Sequence, residues 1–258
     1  MNEVNQQRIH RVSHPIVRRH LEVLRITDLT PRMRRITLGG PELAGFVSVG
    51  TDDHVKLLFP QTAAEHEAMK TLVIGAKDGG PMPAMRDYTP RRYDPDSLEL
   101  DIDFVLHGDG PASTWAEQAR VGQALYIAGP RGSMVVPDIF DSYLLIGDET
   151  ALPAIARRLE GLTGQRRVHA VIEIANAAER QALPSPAQVE VTWVIRGEQN
   201  LLETVRQLTI PAGSLYAWIA TETKLSRQLR RVLLDEHGLD EQYVKAVGYW
   251  RLDSTLDE

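Results

Sequence analysis

Three short stretches of the chain hold side chains whose types and spacing suit chemistry. The first is Arg86-Asp87-Tyr88-Thr89-Pro90-Arg91. Read as one strand, it offers several functions on one face. An arginine fork pairs with a diphosphate, a tyrosine ring lies against a flat heterocycle, and a threonine hydroxyl bonds a ring nitrogen or carbonyl. An edge strand with surface arginines and a half-buried tyrosine would carry the same residues. The second is His107-Gly108-Asp109-Gly110-Pro111-Ala112-Ser113-Thr114-Trp115-Ala116. Gly108 and Gly110 permit a tight turn, Pro111 suits a first helical position, and a helix starting there presents free N–H groups to an anion, with Ser113 adding a hydroxyl. The plainer alternative is an ordinary strand–turn–helix joint in which His107 is a capping or core histidine. The third is Gly147-Asp148-Glu149-Thr150-Ala151-Leu152-Pro153-Ala154, just after an apolar run. An open parallel sheet takes its nucleotide at such a strand end, although no G-x-G-x-x-G is present. Thr150 as a helix cap and Pro153 in the first turn explain part of this pattern without function. Asp148 and Glu149 suit a ring better than a phosphate, because like charges repel.

The elements that must position these residues change character along the chain. Residues 20–27, 32–39 and 54–60 read as strands, and the clearest strand is 98–106. There Leu98, Leu100, Ile102, Phe104 and Leu106 alternate with Glu99, Asp101, Asp103 and Val105, a period of two that sends one face to a core and the other to solvent or a ligand. Residues 61–85 look like an irregular surface insertion with a Gly-Gly-Pro turn, and 111–120 is a short helix. From about residue 141 strands alternate with helices: SYLLIGD, ALPAIARRLEGL, RVHAVIEI, VEVTWVI, LLETVRQL, SLYAWIA, KLSRQLRRVLLDEHG and YVKAVGYW. That alternation predicts βαβ units in a parallel sheet. The expected architecture is α+β in two domains: an N-terminal antiparallel six-stranded β-barrel over 1–138, then a C-terminal α/β doubly wound parallel-sheet nucleotide-binding domain over 139–258.

Composition narrows the classes. Of 258 residues, 25% are charged and 43% hydrophobic, the make-up of an ordinary globular protein. Lys and Arg total 29 against 35 Asp and Glu, a net charge of −6 that gives no bulk field for nucleic acid. No cysteine is present, which excludes disulfides, Cys-ligated clusters and thiol nucleophiles. Electron transfer, if it occurs, needs a bound organic cofactor. The first residues lack an apolar signal region and no stretch approaches a membrane span, so a cytoplasmic protein without membrane or nucleic-acid partners is the expectation; a monomer is the default taken, although the sequence does not fix the oligomeric state. Arg18, Arg19 and His20 read as a solvated basic arm.

Taken together, RDYTPR, HGDGPASTWA and GDETALPAI, in this order and on these elements, resemble the siderophore-interacting protein family. That family is a branch of the ferredoxin-reductase-like flavoproteins and includes NADPH-dependent ferric-chelate reductases. The resemblance extends through DDHVKLLFP (52–60), AGPRGSMVVP (128–137), AWIATET (217–223) and GYWR (248–251), nearly the whole chain. It implies FAD in the barrel, with Arg86, Tyr88, Thr89 and Arg91 at the flavin and its phosphates. Asp103, Phe104 and His107 would line the cofactor, and Gly110, Ala112, Ser113 and Trp115 would hold its diphosphate end. It further implies that Asp148, Glu149, Thr150 and Ala151 serve the nicotinamide nucleotide and close over the flavin. Glu222 matches an acidic position after the AWIA strand, and Tyr249 and Trp250 match a C-terminal aromatic pair. The ending RLDSTLDE departs from the family pattern, which has a glycine soon after the arginine.

The implied activity is that of a ferric-siderophore reductase, an NAD(P)H-dependent ferric-chelate reductase carrying electrons through FAD to iron. The siderophore already coordinates the metal, so no resident metal site is needed, and an anionic chelate calls for a locally basic mouth. Lys56 and Arg131 are the candidates for it, ahead of Arg91 and Arg92. For the donor, Glu173, Asn176, Arg180 and Arg196 follow the second and third strands of the α/β half. An acid there favours NADH, while the resemblance favours NADPH. Two rival readings are a general NAD(P)H–flavin oxidoreductase, and a non-catalytic protein that binds ferric siderophore without reducing it.

Overall fold

The computed structural model describes residues 8–69, 82–108 and 110–252. The chain divides into two compact units, Met1–Pro137 and Asp138–Glu258. In the first, the strands are β1 (His10–Ser13), β2 (Arg18–Thr30), β3 (Met33–Gly39), β4 (Val55–Phe59), β5 (Ala84–Tyr88), β6 (Pro90–Asp94), β7 (Glu99–Val105), β8 (Ala124–Ala128) and β9 (Gly132–Val135). Helices α1 (Ala63–Ala68) and α2 (Pro111–Gln118) complete it. Seven strands pair antiparallel in the order β5-β4-β8-β2-β3-β7-β6, and β1 pairs with β9 in a separate ribbon. The sheet thus has one strand more than the six expected from sequence.

Its closure follows from one residue. The strands β5 and β6 stand at opposite ends of the sheet, yet only Thr89 lies between them in the chain. The two ends must therefore meet, and the sheet curls into a barrel. Pro90 forces this corner: it has no N–H to continue a ladder and holds Thr89 extended. RDYTPR is accordingly two strands joined at a seam rather than one. Leu21, Ile36, Leu57, Leu100, Ile102 and Phe104 fill the interior, each with 1% exposure or less.

Strand β7 alternates as its sequence promised, but its second face is not open. Asp101 and Asp103 are 5% and 6% exposed, because strand β3 supplies their partners. Thr37 Oγ1 donates to Asp101 at 2.7 Å, and Arg35 grips Asp103 through two bonds of 2.7 and 2.8 Å. The basic arm is likewise corrected: Arg19 is buried, donating to the carbonyls of Val17, Glu42 and Gly129 and lying over the Phe46 ring. Within 61–85, α1 replaces irregular chain, started by a capping box in which Thr62 Oγ1 accepts from the Glu65 N–H and Glu65 accepts from the Thr62 N–H. The Gly-Gly-Pro turn lies outside the described residues.

The second unit is a parallel sheet of β10 (Ser142–Gly147), β11 (Arg167–Ile174), β12 (Gln188–Ile195), β13 (Leu215–Glu222) and β14 (Val244–Trp250). Its order, β12-β11-β10-β13-β14, reverses beside β10, the arrangement that opens a crevice at the carboxyl ends of the strands. Helices α3 (Leu152–Glu160), α4 (Leu201–Arg206) and α5 (Thr223–Arg231) connect the strands. Alternation along β10 sets the two layers. Leu144 and Ile146 join the cluster that includes Leu201 and Val205 of α4 and Leu229 of α5. Tyr143 faces the other way, under the Arg158 guanidinium of α3 at 4.6 Å. From β11 to β12 the chain makes only a short 3-10 turn, Ala177–Glu179.

Candidate functional site

In the barrel unit the candidate residues gather at the seam and at the start of α2. Tyr88 ends β5, opposite Val55 of β4. Its ring lies 4.6 Å from that of Phe104, whose other side meets Trp115 at 5.7 Å. Burial pushes the Tyr88 phenol above its usual value, against the opposing pull of Arg86, so it stays protonated at neutral pH. Phe104 itself is fully buried and offers a ligand only its support of the Tyr88 ring. Asp103 is committed to Arg35. Thr89 is buried in the corner, while Arg86 is exposed on β5 and Arg91 half-buried on β6, one on each side of the seam. Among the described residues, Arg86 donates to the neighbouring Met85 carbonyl at 2.8 Å. Arg92 is drawn to Asp94, Glu99 and Asp101.

Two glycines shape the turn into α2. Gly108 and Gly110 take φ of +80° and +82°, which side chains with a Cβ rarely adopt, and no atom within 4 Å would meet a Cβ on Gly108. Pro111 opens the helix, and Ala112, Ser113 and Ala116 bury its inner face. The Ser113 hydroxyl is used differently from the expectation. It accepts from the His107 N–H at 3.0 Å and donates to Glu117 at 3.2 Å, and Glu117 also accepts from the Gly108 N–H. That stitch ties the turn to α2 and occupies the backbone N–H groups of His107 and Gly108. The sequence reading overlooked Glu117, although its i+4 spacing from Ser113 was visible. The His107 side chain is exposed beside it.

Lys56 lies on β4 opposite Ala128 of β8, and Nζ pairs with Asp87 Oδ1 at 2.8 Å across to β5. Both partners are about half exposed, so the pair is weak and easily exchanged for another anion. Arg131 is exposed in the turn after β8. A Cβ on Gly129 in that turn would approach His54 and Val55, which places the turn alongside the segment that carries Lys56.

In the second unit the third motif occupies the carboxyl end of β10. Gly147 has no room for a side chain, since a Cβ would strike that of Ala151 and approach the Ala220 carbonyl. Thr150 does not cap α3, which starts after Ala151 without a side-chain cap; Asp148 instead caps the 3-10 turn Glu149–Ala151 before it, its Oδ1 accepting from the Thr150 N–H and hydroxyl at 2.9 and 2.5 Å. Its Oδ2 accepts from Trp250 Nε1 at 2.8 Å. Only 2% exposed, this carboxyl is pushed up to about 6 by burial, against its hydrogen bonds to Thr150 and Trp250. Glu149 turns instead to Arg196 at the end of β12, with bonds of 2.7 and 3.4 Å, and the same guanidinium donates to Glu173 at 3.1 Å. The arginine and the acid considered for the donor's ribose end thus face each other. Ala151 is packed within the turn.

Glu222 is buried and caps α5, accepting from the N–H groups of Lys224 and Leu225 at 2.6 and 3.0 Å. Across the sheet it pairs in register with Trp250, whose carbonyl accepts from Thr223. The two C-terminal aromatics separate: Trp250 reaches Asp148, while Tyr249 sets its ring edge-on to Trp218 at 6.1 Å. Strand alternation accounts for that division. Asp148, Glu149, Glu222 and Trp250 therefore share one edge of the sheet, with Trp250 38% exposed.

A curled antiparallel sheet whose end strands meet at Thr89, followed by a parallel sheet whose order reverses beside β10, gives the chain a ferredoxin-reductase-like fold. Two family models match it, the siderophore-interacting FAD-binding domain over residues 22–134 and the siderophore-interacting protein over 140–253. The chain belongs to the siderophore-interacting protein family. It is 39% identical to the NADPH-dependent ferric-chelate reductase of Escherichia coli (strain K12), over 93% of this chain and 95% of that protein. It is 30% identical to the ferric vibriobactin reductase ViuB of Vibrio cholerae, over 90% of this chain and 89% of that protein. A crystal structure of a siderophore utilization protein from T. fusca superposes with a TM-score of 0.85 at 38% identity, covering 95% of this chain and 97% of that one.

Proposed function

We propose that this protein is an FAD-containing reductase of ferric siderophores that draws its electrons from NADPH, with NADH as the lesser donor, and releases Fe(II) in the cytoplasm. The observation that carries the reading is the joining, in one chain, of the glycine turn at α2 beside Tyr88 with the nucleotide-type crevice at Gly147–Asp148. The residues present fit FAD. Arg86 and the first N–H groups of α2 would hold its phosphates, and the Tyr88 ring, backed by Phe104, would offer its face to the flat ring system. Bound FAD supplies the conversion of a hydride's electron pair into single electrons, so that one NADPH reduces two Fe(III) and leaves NADP⁺, a proton and two Fe(II).

The chain's own residues do the rest by binding and positioning. Lys56 and Arg131 draw in the anionic chelate, Lys56 exchanging Asp87 for the incoming ligand. Asp148 fixes the Trp250 indole at the nucleotide edge. Iron enters and leaves as substrate, and Fe(II) is held less tightly by hard oxygen ligands than Fe(III). Among the described residues no helix is long and apolar enough to cross a membrane. The test is an anaerobic assay with a ferric triscatecholate, a ferrous-specific chelator and either nicotinamide donor. Flavin bleaching followed by ferrous complex is the expected result. Bleaching without ferrous complex would leave a general flavin reductase instead.

A further inference from the structure

The barrel unit buries a carboxylate that the flavin motifs leave unexplained: Asp53, 3% exposed, in the segment that leads into β4 and Lys56. Its Oδ2 accepts from the Gly50 N–H and the Ser48 hydroxyl, both at 3.0 Å, and from the Ser133 hydroxyl at 2.6 Å. The first two bonds close its own loop, whereas the third crosses 80 residues to β9. Ser133, 4% exposed, gives its single proton to Asp53, so its oxygen accepts from the Nε2–H of His14 at 2.8 Å. His14 also donates its backbone N–H to the Arg131 carbonyl at 2.9 Å.

These bonds join the two segments that carry the candidate cations for the chelate. Arg131 lies in the turn between β8 and β9, and Lys56 on β4. Strand β8 is laddered to β4, but β9 pairs with β1 in a separate ribbon, so the far end of the turn has no ladder to β4. The Asp53–Ser133 bond takes that place. Packing leaves little slack around it: a Cβ on Gly50 would lie 2.8 Å from the Met134 carbonyl, and one on Gly132 would lie 2.7 Å from that of Val12. A buried carboxylate is costly unless its hydrogen bonds are kept, so the joint resists loosening. We propose that Asp53, Ser133 and His14 are positioning residues that hold the Arg131 turn at a fixed spacing from Lys56, and that this spacing makes the mouth prefer anionic to uncharged ferric chelates. The assignment rests on the ferric-chelate reading above.

Steady-state reduction of two chelates by the flavin-loaded full chain tests it, one an anionic ferric triscatecholate and the other an uncharged ferric trishydroxamate. Ser133→Ala removes the link. It is expected to raise KM for the triscatecholate about fivefold, the scale of one hydrogen bond, and to leave KM for the trishydroxamate and kcat for both within about twofold. His14 is half-buried, so His14→Leu leaves the core intact and is expected to do the same. His14→Gln, whose carboxamide N–H stands in for Nε2–H, is expected to keep the wild-type KM. Because the brace acts through Arg131, adding Ser133→Ala to Arg131→Ala is expected to raise KM by less than about twofold more. Equal shifts for both chelates, full additivity with Arg131→Ala, or an unchanged KM in Ser133→Ala and His14→Leu would overturn the brace while leaving Lys56 and Arg131 in the mouth. An unchanged KM in Lys56→Ala and Arg131→Ala, or no ferrous product from the wild-type chain, would overturn the ferric-chelate reading and the brace with it.

Discussion

Replacing Asp148 by Asn separates the cost of burying its charge from the bonds it makes. The carboxyl is raised from 3.8 to about 6 by burial. At 1.36 kcal/mol per pH unit, that corresponds to about 3 kcal/mol of folding stability. Because the folded value is the higher one, the sign is fixed. Below the unfolded value both states are protonated and nothing is lost; as the pH rises through the folded value, the native state must hold a buried anion that the unfolded chain solvates freely. Between about pH 4.5 and about pH 7.5 wild-type protein should therefore lose about 2 kcal/mol that Asp148→Asn does not. Asparagine also forfeits one bond, since a single carbonyl oxygen cannot serve both Thr150 and Trp250. That loss is the same at every pH and cancels from the comparison. Urea denaturation of both proteins at the two pH values, following the transition of the second unit, reads the difference. Parallel pH profiles for the two proteins would refute the reasoning, as would a carbon-detected NMR titration placing the Asp148 carboxyl near 4.

The other sites give shorter expectations. Gly147→Ala forces a methyl group against Ala151 and should cost about 1–3 kcal/mol, seen as a lower thermal midpoint for the second unit. Phe104→Ala removes the fully buried support of Tyr88, so about 3–5 kcal/mol of stability should go, and flavin should be retained poorly on gel filtration. Lys56→Ala and Arg131→Ala should each raise KM for an anionic ferric chelate several-fold, with a weaker salt dependence, while NADPH bleaches the flavin at the wild-type rate. Arg196→Ala leaves the buried Glu149 without its fork and should destabilise the second unit by about 1–3 kcal/mol, as measured by denaturation.

Much of this was legible in the chain because local patterns decide local structure. The alternation of 98–106 marked β7, and the strand–helix rhythm after residue 141 marked a parallel sheet. What sequence hid were the partners across the fold. Nothing in β7 shows that Arg35 and Thr37 wait opposite its acids, 68 and 64 residues away, so Asp101 and Asp103 read as open to solvent. Asp148 and Trp250 are 102 residues apart and meet only because β10, β13 and β14 are neighbours. The corner at Pro90 did have a local signal in the proline itself. Its meaning depended on topology, since only the strand order shows that β5 and β6 are the first and last staves of the barrel. Glu222 was legible as an acid at a strand end, but its use as a cap depends on α5 starting at the next residue.

The seam at Thr89 gives the bound ligand a second role. Arg86 stands on one end strand and Arg91 on the other, so a phosphate-bearing molecule held by both would work like the pin of a clasp across the gap in a bracelet. Filling the site would tighten the ring at the place where the polypeptide itself supplies only a corner, and emptying it would free the barrel to open there before anywhere else.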